Sequence, residues 1–214
     1  MGNKIQSAGA VMATLQTTNS CAVAKSGSND ALLARWREKW GKTSPKLLSR
    51  FNPSVQRYCA VNIDKCFVGD TPTLWQVRKA YSDDTLDSWL DIQLTDLINF
   101  CGVKGKDEFS RITDSVAAVI ADNFGWLKLA ELMLFFQQFK AGKYGHFYGA
   151  VDPMVITEAL QMFIEFRAEK LAIIERERVR ELRRQAEAKR AEQERRGELL
   201  TAEEWNELRW LFNM

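Results

Sequence analysis

With 214 residues, 46% hydrophobic and 11% aromatic, the chain has enough apolar material for one well-filled core plus appendages. Its net charge of +2 conceals an uneven spread: residues 1–80 carry 12 Lys/Arg against 4 Asp/Glu, residues 81–131 carry 4 against 10, and the remainder balances, an asymmetry that points to a partner. Cys21, Cys59, Cys66 and Cys101 form no CxxC pair and His146 is the sole histidine, which excludes the common zinc spacings and fits a reduced compartment.

Residues 1–29, rich in Ser, Thr, Asn, Ala and Gly, offer too few large apolar side chains to offset the entropy of ordering, and read as a flexible N-terminal arm. Lys4 is not followed by the hydrophobic stretch of a signal peptide, and Gln6 stands where a myristoylation signal wants Ser or Thr. No apolar run reaches the roughly 18 residues of a membrane helix, so the expected location is the cytoplasm. Asp30 is placed to cap a helix over 31–40 that Gly41 ends, with Leu32, Leu33, Trp36 and Trp40 on one face and Arg35, Arg37 and Lys39 outward. Residues 41–72 hold Pro45, Pro53 and Pro72 and short mixed apolar groups. This segment reads as a connector, with a helical turn near Val55 and a short strand or irregular wrap over Cys59–Val68.

From Thr71-Pro72-Thr73 the pattern is helical: Leu74, Val77 and Tyr81 step by three and four behind a proline in the first turn. Ser82-Asp83-Asp84 caps a second helix with Leu86, Trp89, Leu90, Leu94, Leu97 and Ile98 inward, ending before Gly102. A third carries Phe109, Ile112, Val116, Val119 and Ile120. Trp126 to Phe139 is apolar all round and reads as the central helix of a bundle, with the 86–100 and 109–123 helices packed on it. Asp152-Pro153 opens a helix whose core-facing stripe is Ile156, Leu160, Phe163, Ile164, Leu171 and Ile174. It runs on into a charged extension, residues 175–196, with 9 Lys/Arg and 6 Glu. Gly197 breaks it, and Thr201-Ala-Glu-Glu204 opens a terminal helix bearing Trp205, Leu208, Trp210, Leu211 and Phe212.

The expected fold is therefore all-α: an arm (1–29), a basic tryptophan-bearing helix and connector (30–71), a helical bundle core (72–174), and a long projecting helix with an apolar terminal hook (175–214). No catalytic constellation, cofactor motif or metal spacing stands out. Arg35, Trp36, Arg37, Lys39, Trp40, Lys42, Lys46 and Arg50 form the nucleic-acid candidate, because cations neutralise phosphates and aromatics stack on unpaired bases. The plainer reading is a helix whose tryptophans are core and whose lysines are solvated. Gly142 to Gly149 is not a phosphate loop, since Tyr144 follows Gly142-Lys143 at a helix end. It reads either as a C-cap and aromatic-pinned turn or as an exposed binding loop of Lys143, Tyr144, His146 and Tyr148. Asp83, Asp84, Asp87 and Asp91 read as a solvated acidic face. The five apolar residues of the terminal hook need a covering surface, either their own chain or a partner.

The run Glu131-Leu-Met-Leu-Phe-Phe-Gln-Gln-Phe-Lys-Ala-Gly-Lys-Tyr-Gly-His-Phe-Tyr-Gly-Ala-Val-Asp-Pro153, followed by Ile156, Leu160 and Phe163, resembles a group of uncharacterised proteins of Bacteroides-type bacteria and their phages and mobile elements. The likeness spans residues 72–174 and leaves out the arm and residues 175–214. It implies a cytoplasmic phage or mobile-element setting and no activity. The leading expectation is a non-enzymatic accessory protein of DNA metabolism that binds nucleic acid and a protein partner. The alternative is a scaffold that self-associates through its C-terminal helices without nucleic acid.

Overall fold

A computed structural model describes residues 30–102, 106–145, 152–196 and 202–209, the side chains of 106–108 excepted. The described residues are all-α. They contain no strand, only an isolated antiparallel bridge between Thr73 and Lys128. The helices are α1 (residues 30–40), α2 (Ser44–Arg50), α3 (Gln56–Val61), α4 (Ile63–Val68), α5 (Leu74–Ala80), α6 (Asp83–Cys101), α7 (Lys106–Asn123), α8 (Leu129–Lys140), α9 (Pro153–Arg195) and α10 (Ala202–Leu208). A 3-10 turn, Pro53–Val55, precedes α3. Two compact units divide the chain, one ending at Phe163 and one beginning at Ile164. The arm at 1–29 lies outside the described residues.

In the first unit α8 is the core. Every residue from Leu129 to Phe136 is buried, as are Gln138 and Phe139, so no face of the helix is left to water. α3, α4 and α6 pack on it, while α5 and α7 pack on α6. The segment expected to be a connector, with a strand or wrap at Cys59–Val68, is instead a run of short helices that walls α8. Six-residue helices complete fewer than two turns, too few to print a period in the sequence. Their ends are set by asparagines: Asn52 Oδ1 accepts from the Ser54 N–H at 2.9 Å, and the Asn62 N–H bonds to the Tyr58 and Cys59 carbonyls at 3.1 and 3.2 Å.

The start of α8 is displaced from the expected Trp126 to Leu129 because residues 125–129 are engaged elsewhere. The Leu74 N–H donates to the Leu127 carbonyl at 3.0 Å, Trp75 N–H to Gly125 at 2.9 Å, and Leu129 N–H to Pro72 at 2.9 Å. Lys128 Nζ completes this seam by donating to the Phe67 and Gly69 carbonyls at 2.6 and 2.8 Å, at the C-terminal end of α4 where a cation is favoured. Thr73 and Gln76 form a capping box on α5, so Pro72 precedes the cap and does not occupy the first turn. Ser82 caps α6 as expected, its Oγ accepting from the Thr85 N–H at 3.1 Å.

α9 runs unbroken for 43 residues. Its first turns place Ile156, Ala159, Leu160 and Phe163 in the core, with the Phe163 ring 5.7 Å from Phe135 and 6.3 Å from Phe67. In the second unit Ile164, Leu171 and Ile174 are half-buried, less covered than the expected core-facing stripe, and residues 175–191 are all exposed. That solvated stretch is laced by Glu175–Arg178, Glu181–Arg184 and Arg190–Glu194 pairs, and by Glu192 with both Arg195 and Arg196. Among the described residues no helix is long and apolar enough to cross a membrane.

Candidate interaction surfaces

Trp40 is 3% exposed, and its indole N–H donates to the Asp70 carbonyl at 3.1 Å. It stacks on Trp36 with centroids 5.7 Å apart, leaving Trp36 half-buried and Leu32 exposed. α1 is thus anchored at its C-terminal end, where the Tyr81 hydroxyl donates to the Gly41 carbonyl at 2.6 Å. This corrects the expectation for Trp40, which has no free face on which a base could stack. Gly41 has φ +142, and a Cβ there would meet the Leu47 nitrogen at 3.0 Å, which accounts for glycine at this turn.

The basic side chains of the segment divide into two kinds. Arg37 donates to the Ala80 carbonyl, and Arg50 to the Lys39 carbonyl at 2.9 Å, so both tie α1 to its neighbours. Lys39 pairs with Asp70, and Lys42 with Glu38 at 3.3 Å, all four side chains more than half exposed. Such pairs contribute little and yield readily to another anion. Arg35 and Lys46 are exposed and have no partner among the described residues.

After α8 the chain closes in a Schellman turn: Gly142, at φ +73, donates its N–H to the Phe139 carbonyl at 2.9 Å, and the Lys143 N–H bonds to Gln138 at 3.1 Å. The Tyr144 hydroxyl donates to Gln138 Oε1 at 2.6 Å, and its ring lies 5.6 Å from Phe135 and 6.4 Å from Phe139. Burial pushes the phenol's pKa well above the ordinary tyrosine value. Tyr144 is therefore a pin that fastens the turn to the core, which corrects its assignment to an exposed binding loop. Lys143 is exposed; His146 and Tyr148 lie outside the described residues.

The acidic face on α6 behaves as a solvated surface. Asp83 pairs with Arg78 at 2.7 Å. Burial raises the pKa of Asp91, and the neighbouring Asp114 and Asp87 carboxylates reinforce the rise. Among the described residues no three His, Cys, Asp or Glu side chains gather as a metal site would require. In the second unit Trp205 is 49% exposed and Leu208 half-buried; Trp210, Leu211 and Phe212 lie outside the described residues.

A pocket of about 250 Å³ opens between the end of α2, α3, α4 and α8, lined by Phe51, Val55, Cys59, Cys66, Ala130 and Met133. Exposed Arg50, Tyr58 and Lys65 edge it. Its walls come from three short helices and one buried one, so neither spacing nor charge pattern announces it.

No curated protein matches the chain, and no solved structure matches it. A family described as "Family of unknown function (DUF6633)" matches residues 107–213. The match takes in α8, the Tyr144 turn and all of α9 and α10, and leaves out α1 to α6. The matched residues include 175–213, which lie outside the 72–174 span of the resemblance. With half of its 214 residues matched, the chain belongs to this family of unknown function, DUF6633.

Proposed function

We propose that this chain is a non-enzymatic accessory protein of DNA metabolism in a phage or mobile element. In this reading it touches nucleic acid through α1 and α2 and a protein partner through its C-terminal residues. The observation that carries the proposal is the cluster of exposed cations over residues 35–46. Arg35 and Lys46 have no partner among the described residues, and Lys39 and Lys42 are held only by exposed ion pairs. Four such cations beside the half-buried Trp36 ring make an electrostatic footprint with one stacking platform. The eight-residue cationic surplus of residues 1–80 supplies the surrounding field.

The test is the affinity of the full-length protein for single- and double-stranded DNA at about 50 and 200 mM salt. If four phosphates are neutralised, binding falls roughly a hundredfold between the two conditions, and an Arg35→Glu/Lys46→Glu variant loses most of it. Absence of binding at the lower salt overturns the nucleic-acid reading. The second reading, self-association, rests on the apolar side chains exposed in the second unit: Val179, Leu182 and Trp205. A concentration-dependent mass that deletion of residues 198–214 abolishes, without DNA affinity, supports that reading instead.

A further inference from the structure

Cys59 lies on α3 and Cys66 on α4, with only Asn62 between the two helices. The turn at Asn62 brings the second thiol back onto the first. Cys66 Sγ is 3.5 Å from the Cys59 carbonyl oxygen and 3.4 Å from that of Asn62. Both cysteines are free, and both line the 250 Å³ pocket. The facing wall is apolar, Ala130 and Met133 of α8, and exposed Tyr58 and Lys65 stand at the rim. Thr71 Oγ1, also in the lining, is buried with no hydrogen-bond partner among the described residues. The recess thus combines apolar walls with two adjacent thiols and an unpartnered hydroxyl, a donor set suited to a small molecule with a reactive oxygen head.

We propose that Cys59 and Cys66 form a dithiol modification site, oxidised reversibly to a disulfide by a small hydroperoxide entering this pocket. The Cys59 thiolate attacks the terminal peroxide oxygen: an S–O bond forms, the O–O bond breaks, and the leaving alkoxide takes up a proton to become the alcohol. The Cys66 sulfur then attacks the Cys59 sulfenic acid. An S–S bond forms, the S–O bond breaks, and hydroxide leaves with the Cys66 proton as water. Two thiols lose two electrons in total, and the hydroperoxide is reduced to alcohol and water. The order of attack follows from the placement of the two thiols in one pocket, Cys66 turned onto the Cys59 carbonyl: the neighbouring Cys66 thiol holds Cys59 below the ordinary thiol pKa, while Cys59 and burial push Cys66 up. Cys101, the last residue of α6, is not among the residues that line the pocket, and burial raises its pKa.

The experiment treats full-length protein in a Cys21→Ser background with hydrogen peroxide and maps non-reduced tryptic peptides by mass. Cleavage after Arg57, Lys65 and Arg78 places Cys59 and Cys66 on separate peptides. The expected result is a cross-linked pair lacking two hydrogens, restored by dithiothreitol, with Cys101 unmodified. In Cys66→Ser, dimedone labels Cys59 as the sulfenic acid; in Cys59→Ser, oxidation of Cys66 slows by at least about tenfold. Unchanged masses after peroxide treatment overturn the proposal, as does oxidation of Cys101 at the same rate as Cys59.

Discussion

Gln56 Nε2 donates to Gln93 Oε1 at 2.6 Å, and neither side chain has any exposed surface. Gln93 Nε2 in turn donates to the Phe51 carbonyl at 2.8 Å, which also accepts the Trp89 indole N–H at 2.7 Å. This relay joins the end of α2 to α3 and α6 inside the core and, with the Lys128 bonds to the end of α4, fixes how the short-helix wall sits on the long helices.

Gln93→Leu removes the partner of Gln56 Nε2; Gln56 Oε1 already lacks one among the described residues, so the buried amide is left unsatisfied there. The expected loss is about 2–3 kcal/mol in urea denaturation. The Gln56→Leu/Gln93→Leu double variant removes both polar groups together and should be more stable than the sum of the single effects. Strict additivity would show that the pair is not coupled.

Phe135 is the aromatic hub of α8, fully buried with ring centroids 5.3 Å from Phe136, 6.0 Å from Phe139, 5.6 Å from Tyr144 and 5.7 Å from Phe163. Phe135→Ala opens a cavity that four surrounding rings cannot easily fill. The expected cost is about 3–5 kcal/mol, read as a shift in denaturation midpoint at unchanged slope.

The long elements were legible because they print their period many times over. Leu86 to Ile98 on α6 recur at three- and four-residue steps and are all buried, and Ser82 and Gly102 mark the ends as cap chemistry requires. α3 and α4 were not, because two short helices show only Cys59, Cys66 and Phe67 as buried apolar residues, and no period can be read from three positions. The apolar face of α1 is legible from spacing, but its anchoring is not: among the described residues Trp40 is the buried member of that face, and the groups that hold this end, Asp70 and Ala80, are distant in sequence. The thiol pocket was invisible for the same reason. Its two sulfurs are seven residues apart in a stretch that looked like a connector, and its far wall belongs to α8.

Asp91 offers a pH test. Burial and the neighbouring Asp114 and Asp87 charges raise its pKa in the folded state above the unfolded carboxylate value. Between those two values the folded chain binds more protons than the unfolded one, so stability falls as pH rises through that window, and ionised Asp91 opposes folding at neutral pH. The side chain is exposed, so solvent screening keeps the effect small. Asp91→Asn should stabilise by up to about 1 kcal/mol at neutral pH. The gain should vanish below the unfolded value, where Asp91 is protonated in both states. An equal gain at both pH values would locate its origin outside the ionisation.

Tyr144 carries the same consequence at the alkaline end. Its hydroxyl donates to Gln138, itself 7% exposed, so Tyr144→Phe strips a buried acceptor of its partner and should cost about 1 kcal/mol at neutral pH. Burial raises the folded phenol's pKa above the unfolded value, so its contribution to stability is complete below the unfolded pKa, about 10, and is lost as pH climbs through the folded value. The advantage of wild type over Tyr144→Phe should therefore shrink as pH rises above the unfolded value. If instead the gap between the two denaturation curves stays constant into strong alkali, the phenol ionises as freely in the folded chain as in the unfolded one, and the turn after α8 is not pinned by a buried Tyr144.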